Sequence, residues 1–340
     1  MNGKIFEEEK QYKINVITKQ ALNMKFIQFK PIYKERIWGG RRLEEGLRRK
    51  LPDARLYGES WEIVDRDEDQ SIVANGQWQG LSLRELLNKE GSFIMGPGWK
   101  KDKRFPILVK WLDCRERLSL QVHPPKKVAA TLGGESKTEN WYIAEGDAGA
   151  NVFAGVRRGV TPEIFLKAVQ KGDLEALLCE VKVEKGDSLF IPSGRLHAIG
   201  GGCLILEIQE NSDTTYRVYD WGRLGPDGKP RAMHLKESME SIDFEDIEPS
   251  KKVPVEGTCI LADCEEFRIR RVEIGSEAIE IKGGEEPRII SVVEGELKIS
   301  DRDGQEYLSK GSNVLLPYRE EFVLEAVGVC IVLITDRFGL

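Results

Sequence analysis

Lys185-Gly186-Asp187-Ser188-Leu189-Phe190-Ile191-Pro192 and Lys310-Gly311-Ser312-Asn313-Val314-Leu315-Leu316-Pro317 are one phrase written twice: a Lys-Gly turn, an apolar run and a closing proline. Glycine supplies the turn and proline ends the pairing, so each copy reads as a short buried strand. Such an echo points to two copies of one β unit. The neighbouring sequence keeps the same grammar. Trp61 to Val64, Ile72 to Ala74, Ile107 to Leu112, Leu118 to Val122, Cys203 to Gln209 and Ile289 to Leu297 are strand-like runs divided by turn residues. Helical spacing shows in Leu81–Asn88 and in a run opened by Thr161-Pro162-Glu163, with Thr as N-cap and Pro in the first turn, followed by a second short helix over Asp173–Leu178. The regular strand–helix alternation of a parallel α/β sheet is missing. The expected fold is all-β, two jelly-roll β-sandwich units with a small helical insertion at about 160–180. Residues 1–23 read as a loose N-terminal extension, 24–247 as the first unit and 248–340 as a second, degenerate one, joined by a charged, proline-bearing linker near 247–255.

The bulk composition excludes more than it identifies. With 340 residues, 40% of them hydrophobic and a net charge of −6, the chain can bury a large core but offers nucleic acid or an anionic membrane no general attraction. A small anionic substrate needs only a few local cations and stays open. The six cysteines form no C-x-x-C pair, the first 30 residues hold no signal-like stretch, and no apolar run nears the ~20 residues of a membrane span. A cytoplasmic protein with free thiols, monomeric or weakly homo-oligomeric, is expected.

Three histidines occur, His123, His197 and His234, so a histidine-ligated metal site would have an almost predetermined ligand set. In Leu118-Ser119-Leu120-Gln121-Val122-His123-Pro124, Gln121 and His123 stand two apart and share one face of a strand, a pattern that ordinary sheet surfaces also show. Lys137-Thr138-Glu139 repeats the spacing ahead of the aromatic strand Asn140-Trp141-Tyr142-Ile143; taken alone it is a surface ion pair. Ile191-Pro192-Ser193-Gly194-Arg195-Leu196-His197 ends a strand and presents a histidine, as metal-binding jelly rolls of the cupin type do. The matching Leu316-Pro317-Tyr318-Arg319-Glu320-Glu321-Phe322 has none, so one working site is expected, in the first unit. Gln121, His123, Glu139 and His197 together are a nitrogen–oxygen set suited to one Zn²⁺ with an exchangeable position, with Fe²⁺ as the competitor. His234, before a charged helix-like run, reads as structural or exposed.

Arg36-Ile37-Trp38-Gly39-Gly40, Gly58-Glu59-Ser60-Trp61-Glu62, Ser119 to Pro124, Lys137-Thr138-Glu139, Pro192 to Ala198 and Asn211-Ser212-Asp213 to Arg217 occur in this order. In them the chain closely resembles the type I mannose-6-phosphate isomerases in their short bacterial form, from about Phe29 to Asp220. The resemblance implies metal-dependent interconversion of mannose 6-phosphate and fructose 6-phosphate through an enediol, with zinc on Gln121, His123, Glu139 and His197. It also implies Arg217 as the catalytic arginine, Glu207 as a proton-shuttling carboxylate, Ser119 and Lys137 near the phosphate or the sugar oxygens, and Trp38 in the pocket lining. Two other readings are an Fe²⁺ dioxygenase of the cupin type and a sugar-phosphate sensor without turnover. The ligand assignment predicts that His197→Ala loses metal and turnover whereas His234→Ala keeps the metal and most activity. Equal zinc content and equal turnover in the two purified variants would contradict it.

Overall fold

The computed structural model describes residues 25–225, 227–247 and 249–338. The expected extension at 1–23 lies outside them. The described residues form mostly antiparallel sheet in two compact units. Of the described residues, one unit, here the histidine-bearing unit, comprises those within Pro31–Val64 and Pro106–Val255; the other, the terminal unit, comprises those up to Lys30, within Asp65–Phe105 and from Glu256 onward.

This corrects the expected contiguous division into 24–247 and 248–340. The strand Ile27–Lys30 pairs with Asn313–Leu316 on one side and Ile72–Val73 on the other, which places both early segments in the terminal unit. The helix Leu83–Ile94 follows them, opened by a capping box between Ser82 and Glu85. Periodicity identifies an element but not the sheet that covers its apolar face.

The histidine-bearing unit is a sandwich. Its larger sheet runs in the order Lys251–Lys252, Ser188–Ile191, Glu139–Gly146, Cys203–Glu210, Ile107–Cys114, Tyr57–Ile63, Ile32–Gly40. The smaller sheet runs Tyr216–Tyr219, Leu120–Val122, His197–Ile199, Asn151–Val156, Leu178–Lys182. Alternation assigns the two faces of the smaller sheet. Val152, Ala154 and Ile199 point inward and pack with Trp141, Ile143, Ile205 and Leu112 of the larger sheet. Leu120, Val122, Phe153, Ala198 and Val218 point outward, where Phe165 covers them. Phe165 belongs to the helix Pro162–Lys171, capped by Thr161. The helical insertion therefore seals the back of the smaller sheet. The second short helix expected after it is one 3₁₀ turn, Glu175–Leu177, and the chain is extended again from Leu178.

Two glycines explain why Ile37-Trp38-Gly39-Gly40 and Gly58-Glu59-Ser60 are written as they are. A Cβ on Gly39 would stand 2.4 Å from the Gly58 nitrogen, and one on Gly58 would stand 2.7 Å from the Trp38 ring. Only hydrogen fits where these strands cross.

The terminal unit repeats the pairing scheme. Its sheets run Thr258–Asp263, Arg268–Ile274, Cys330–Asp336, Arg288–Glu294, Asn313–Leu316, Ile27–Lys30, Ile72–Val73 and Ile279–Ile281, Phe322–Ala326, Glu296–Asp301, Gly304–Ser309. The repeat can be read residue by residue through the register. Ile191 pairs with Glu139 as Leu316 pairs with Arg288, and His197 pairs with Gln121 as Phe322 pairs with Ile281. The positions of Gln121, Glu139 and His197 are thus held by Ile281, Arg288 and Phe322, and that of His123 by Gly283. Ile281 and Phe322 are part of the terminal unit's hydrophobic core.

Candidate metal centre and its cavity

The site is the polar end of the core between the two sheets. Arg217, Gln121 and His197 form one cross-strand row on the inner face of the smaller sheet, since Gln121 pairs with Arg217 on one side and His197 on the other. His123 follows Gln121 at the strand end, and Glu139 opens the facing strand of the larger sheet. His123, Glu139 and His197 are almost wholly buried, and their candidate ligand atoms lie within 4.8 Å of one another. Among the described residues this is the metal-type cluster found.

Second partners fix which imidazole nitrogen faces the cluster. His123 Nδ1 donates to the Thr214 carbonyl at 2.9 Å and His197 Nδ1 to the Arg195 carbonyl at 2.8 Å. Each Nε2 then carries the lone pair, and these atoms stand 3.3 and 3.7 Å from Glu139 oxygens. The turn Asn211-Ser212-Asp213-Thr214 brings the Thr214 carbonyl to His123, and the Thr214 hydroxyl accepts from the Glu135 backbone. Burial, reinforced by the Lys137 ammonium, pushes His123 down to about 3, and burial also lowers His197. Both rings are therefore neutral donors at neutral pH. Burial opposes ionisation of Glu139, but the Lys137 ammonium holds it well below the ordinary carboxylate range. Its Oε1 has no hydrogen-bond partner among the described residues, a buried charge with unused lone pairs. Gln121 places its amide nitrogen 3.3 Å from His197 Nε2, and a half-turn of the amide presents the oxygen there instead. Two neutral imidazoles, one carboxylate and an amide, with no thiol among them, fit a divalent cation with room for an exchangeable ligand.

A cavity of about 410 Å³ opens beside this cluster, lined in part by Trp38, Ser119, Gln121, Lys137, Glu207 and Arg217. The sequence-predicted substrate and catalytic residues therefore share one space with Gln121 and adjoin the His-Glu-His cluster through Lys137. Trp38 lines the cavity while also packing in the inter-sheet core. Lys137 Nζ stands 2.8 Å from Glu139 and 3.9 Å from Glu207. Glu207 is buried, receives the Trp141 indole N–H at 3.1 Å and has its carboxyl raised by burial and then by Glu139. Arg217 donates to the Ala232 carbonyl at 2.8 Å, and its backbone N–H donates to His234 Nδ1 at 3.1 Å. His234 accordingly supports Arg217 and takes no part in the metal cluster.

Lys110 escaped sequence reading. It lies in Ile107–Cys114, a strand buried at every position, and reads there as an interruption of core. In register it falls between Glu207 and Trp61, 3.4 Å from the Glu207 carboxylate and over the Trp61 ring. The one signal was a lysine within an apolar strand, which is costly unless paired. Arg36 and Glu59 also reach the cavity, joined through two 2.9 Å contacts.

The chain matches the family described as phosphomannose isomerase type I, catalytic domain, over residues 26–154. It is 38% identical to mannose-6-phosphate isomerase ManA of Bacillus subtilis over 89% of this chain and 97% of that one. It is 34% identical to mannose-6-phosphate isomerase of Streptococcus mutans over 83% and 89% of the two chains. The crystal structure of mannose 6-phosphate isomerase from Bacillus subtilis superposes with a TM-score of 0.81 at 31% identity, covering 92% of this chain and 99% of that one.

Glu59 gives this site a pH signature. Burial alone would raise its carboxyl, but Arg36 and Lys110 bring it down to about 2 from an ordinary 4.5. A carboxyl lowered on folding stabilises fully above its unfolded value and loses that contribution as pH falls through the folded one. Glu59→Gln should thus destabilise at pH 6 by up to about 3 kcal/mol, and by less than half of that at pH 3. Urea titrations at the two values test it; equal destabilisation at both would contradict the assignment.

Proposed function

The chain belongs to the type I phosphomannose isomerases, and on that premise we propose that it interconverts mannose 6-phosphate and fructose 6-phosphate at a zinc centre held by Gln121, His123, Glu139 and His197. The observation that carries this reading is the inter-sheet cavity on which Gln121, the Lys110–Glu207–Lys137 series and Arg217 converge, with the buried His-Glu-His cluster directly behind Gln121 and Lys137.

The reaction takes a proton from C2, returns one to C1 and shifts another between O2 and O1, so neither oxidant nor co-substrate is needed. The hard step is removing a carbon-bound proton beside a carbonyl, because negative charge then develops across O1 and O2. Bound zinc supplies Lewis acidity that stabilises such charge. Arg217, one strand from Gln121, adds a fixed positive charge on the same side. Glu207 is the proton carrier in this reading: its raised carboxyl can accept and release a proton at Oε1, and Lys110 and Lys137 flank that atom at 3.4 and 3.9 Å. Lys137 also holds Glu139 ionised for its ligand role. Ser119 and Trp38 line the path of the sugar. Such a protein works as a soluble cytoplasmic enzyme on a small-molecule partner, and no described helix is long and apolar enough to cross a membrane.

A coupled assay of fructose 6-phosphate formation tests the proposal. Activity should disappear on chelation, return with zinc, and fall by about 10²–10⁴-fold in Glu207→Gln at unchanged zinc content. Tight binding of mannose 6-phosphate by zinc-replete protein without turnover would replace the enzyme reading with that of a sensor.

A further inference from the structure

Charge is balanced at one end of the cavity and unbalanced at the other. Toward the metal cluster every cation has its acid, Arg36 with Glu59, Lys110 with Glu207 and Lys137 with Glu139, and Asp213 adds a further negative charge near Lys137. Beyond Gln121 the balance fails. Arg217 has no carboxylate within 4 Å among the described residues, and the next two arginines share one acid. Asp220, 1% exposed, receives Arg231 Nε on Oδ2 at 2.7 Å, while Arg231 Nη2 and Arg223 Nη2 both meet Oδ1 at 2.5 Å. Three guanidinium groups therefore face one carboxylate.

The chain path builds this pole. Trp221 and Gly222 take positive φ, 58° and 71°, and reverse the strand that carries Arg217. Leu224 then pairs with Pro230, closed by Gly225 donating to Lys229 at 2.7 Å, so Arg223 and Arg231 return to the same acid. Of these two, only Arg231 lines the cavity; Arg223 turns to the Arg117 carbonyl. The segment behind Arg231 is tied to Arg217 by its donation to Ala232 and by the His234 N–H on the Arg217 carbonyl at 2.9 Å. Across the smaller sheet the order is thus His197, Gln121, Arg217, then the Arg231 segment.

We propose that Arg231 is the anion anchor of this cavity, gripping the phosphate on C6 while C1 and C2 reach past Arg217 to the metal end. The assignment rests on the isomerase reading and deepens it. Asp220 occupies Nε and Nη2 of Arg231 and holds the guanidinium plane rigid, so that its remaining edge is preorganised for a phosphate oxygen. A phosphate is the fitting occupant because it carries up to two negative charges, and the pole has that surplus of positive charge. The phosphate is also remote from the reacting carbons, so its contacts are the same in ground and transition states. Arg231 therefore sets affinity and leaves the chemical step alone.

The test is steady-state kinetics on the zinc-loaded full chain, with inorganic phosphate as competitive inhibitor. In Arg231→Met the KM for mannose 6-phosphate should rise on the order of 10–100-fold, kcat should stay within about threefold, and inhibition by phosphate should weaken in parallel. Arg231→Lys, which keeps the charge but loses the fork, should fall between and covers the case in which the methionine variant fails to fold. An unchanged KM and phosphate inhibition in Arg231→Met, or a loss confined to kcat, would overturn the assignment. Absence of turnover in the parent protein would instead defeat the isomerase reading. Calorimetry of inorganic phosphate on the same variants then judges the anchor alone: weaker binding in Arg231→Met supports it, equal binding overturns it.

Discussion

A buried carboxylate governs this molecule's architecture. Glu139 is fully enclosed at the mouth of a β-sandwich core, and an ionised group there is tolerated only if other charges and dipoles compensate it. Lys137, two residues before it, supplies the compensating charge at 2.8 Å, while the lone pairs of His123 and His197 Nε2 converge with its oxygens on one point. Thr214 and Arg195 carbonyls hold those rings in the required tautomer. The loop 211–214, the closing proline before His197 and the strand end at His123 can each be understood as support for that one group. The same compensation that makes Glu139 tolerable leaves it with an unpaired oxygen and two neutral imidazoles, which is the composition of a cation site.

The terminal unit shows what the pairing scheme becomes without that demand. Its register is the same, but Ile281 and Phe322 stand where Gln121 and His197 would, and both join the hydrophobic core. Arg288 replaces the carboxylate and reaches Glu285 at 2.6 Å, with Glu286 3.9 Å away. One sandwich thus keeps a polar core end, while the other fills two of the corresponding positions with the apolar side chains of Ile281 and Phe322. Packing of this kind favours stability, since each buried aliphatic side chain contributes about 1.5–3 kcal/mol by leaving water.

Much of this was legible in the sequence, for identifiable reasons. The four proposed ligand positions stood out because histidine is scarce and because period-two spacing puts Gln121 with His123 and Lys137 with Glu139 on single faces. The all-β architecture showed in the repeated Lys-Gly-to-Pro phrase. What stayed hidden depended on pairing. The segment Asp65–Phe105 carries clear local signals but none that says which sheet it joins. Lys110 sits in a strand whose composition reads as core, and only its register between Glu207 and Trp61 reveals a paired lysine. The Arg223–Asp220–Arg231 arrangement depends on a chain reversal at Trp221, a residue not suited to positive φ and so not predictable from turn propensities.

The most direct test of the account is X-ray absorption at the zinc edge on the metal-loaded protein, together with metal stoichiometry. One zinc per chain in a shell of nitrogen and oxygen at about 2.0–2.2 Å, with no sulfur, is the predicted result. A sulfur shell near about 2.3 Å, or zinc that does not bind stoichiometrically, would place the metal elsewhere or nowhere and contradict a site built around Glu139.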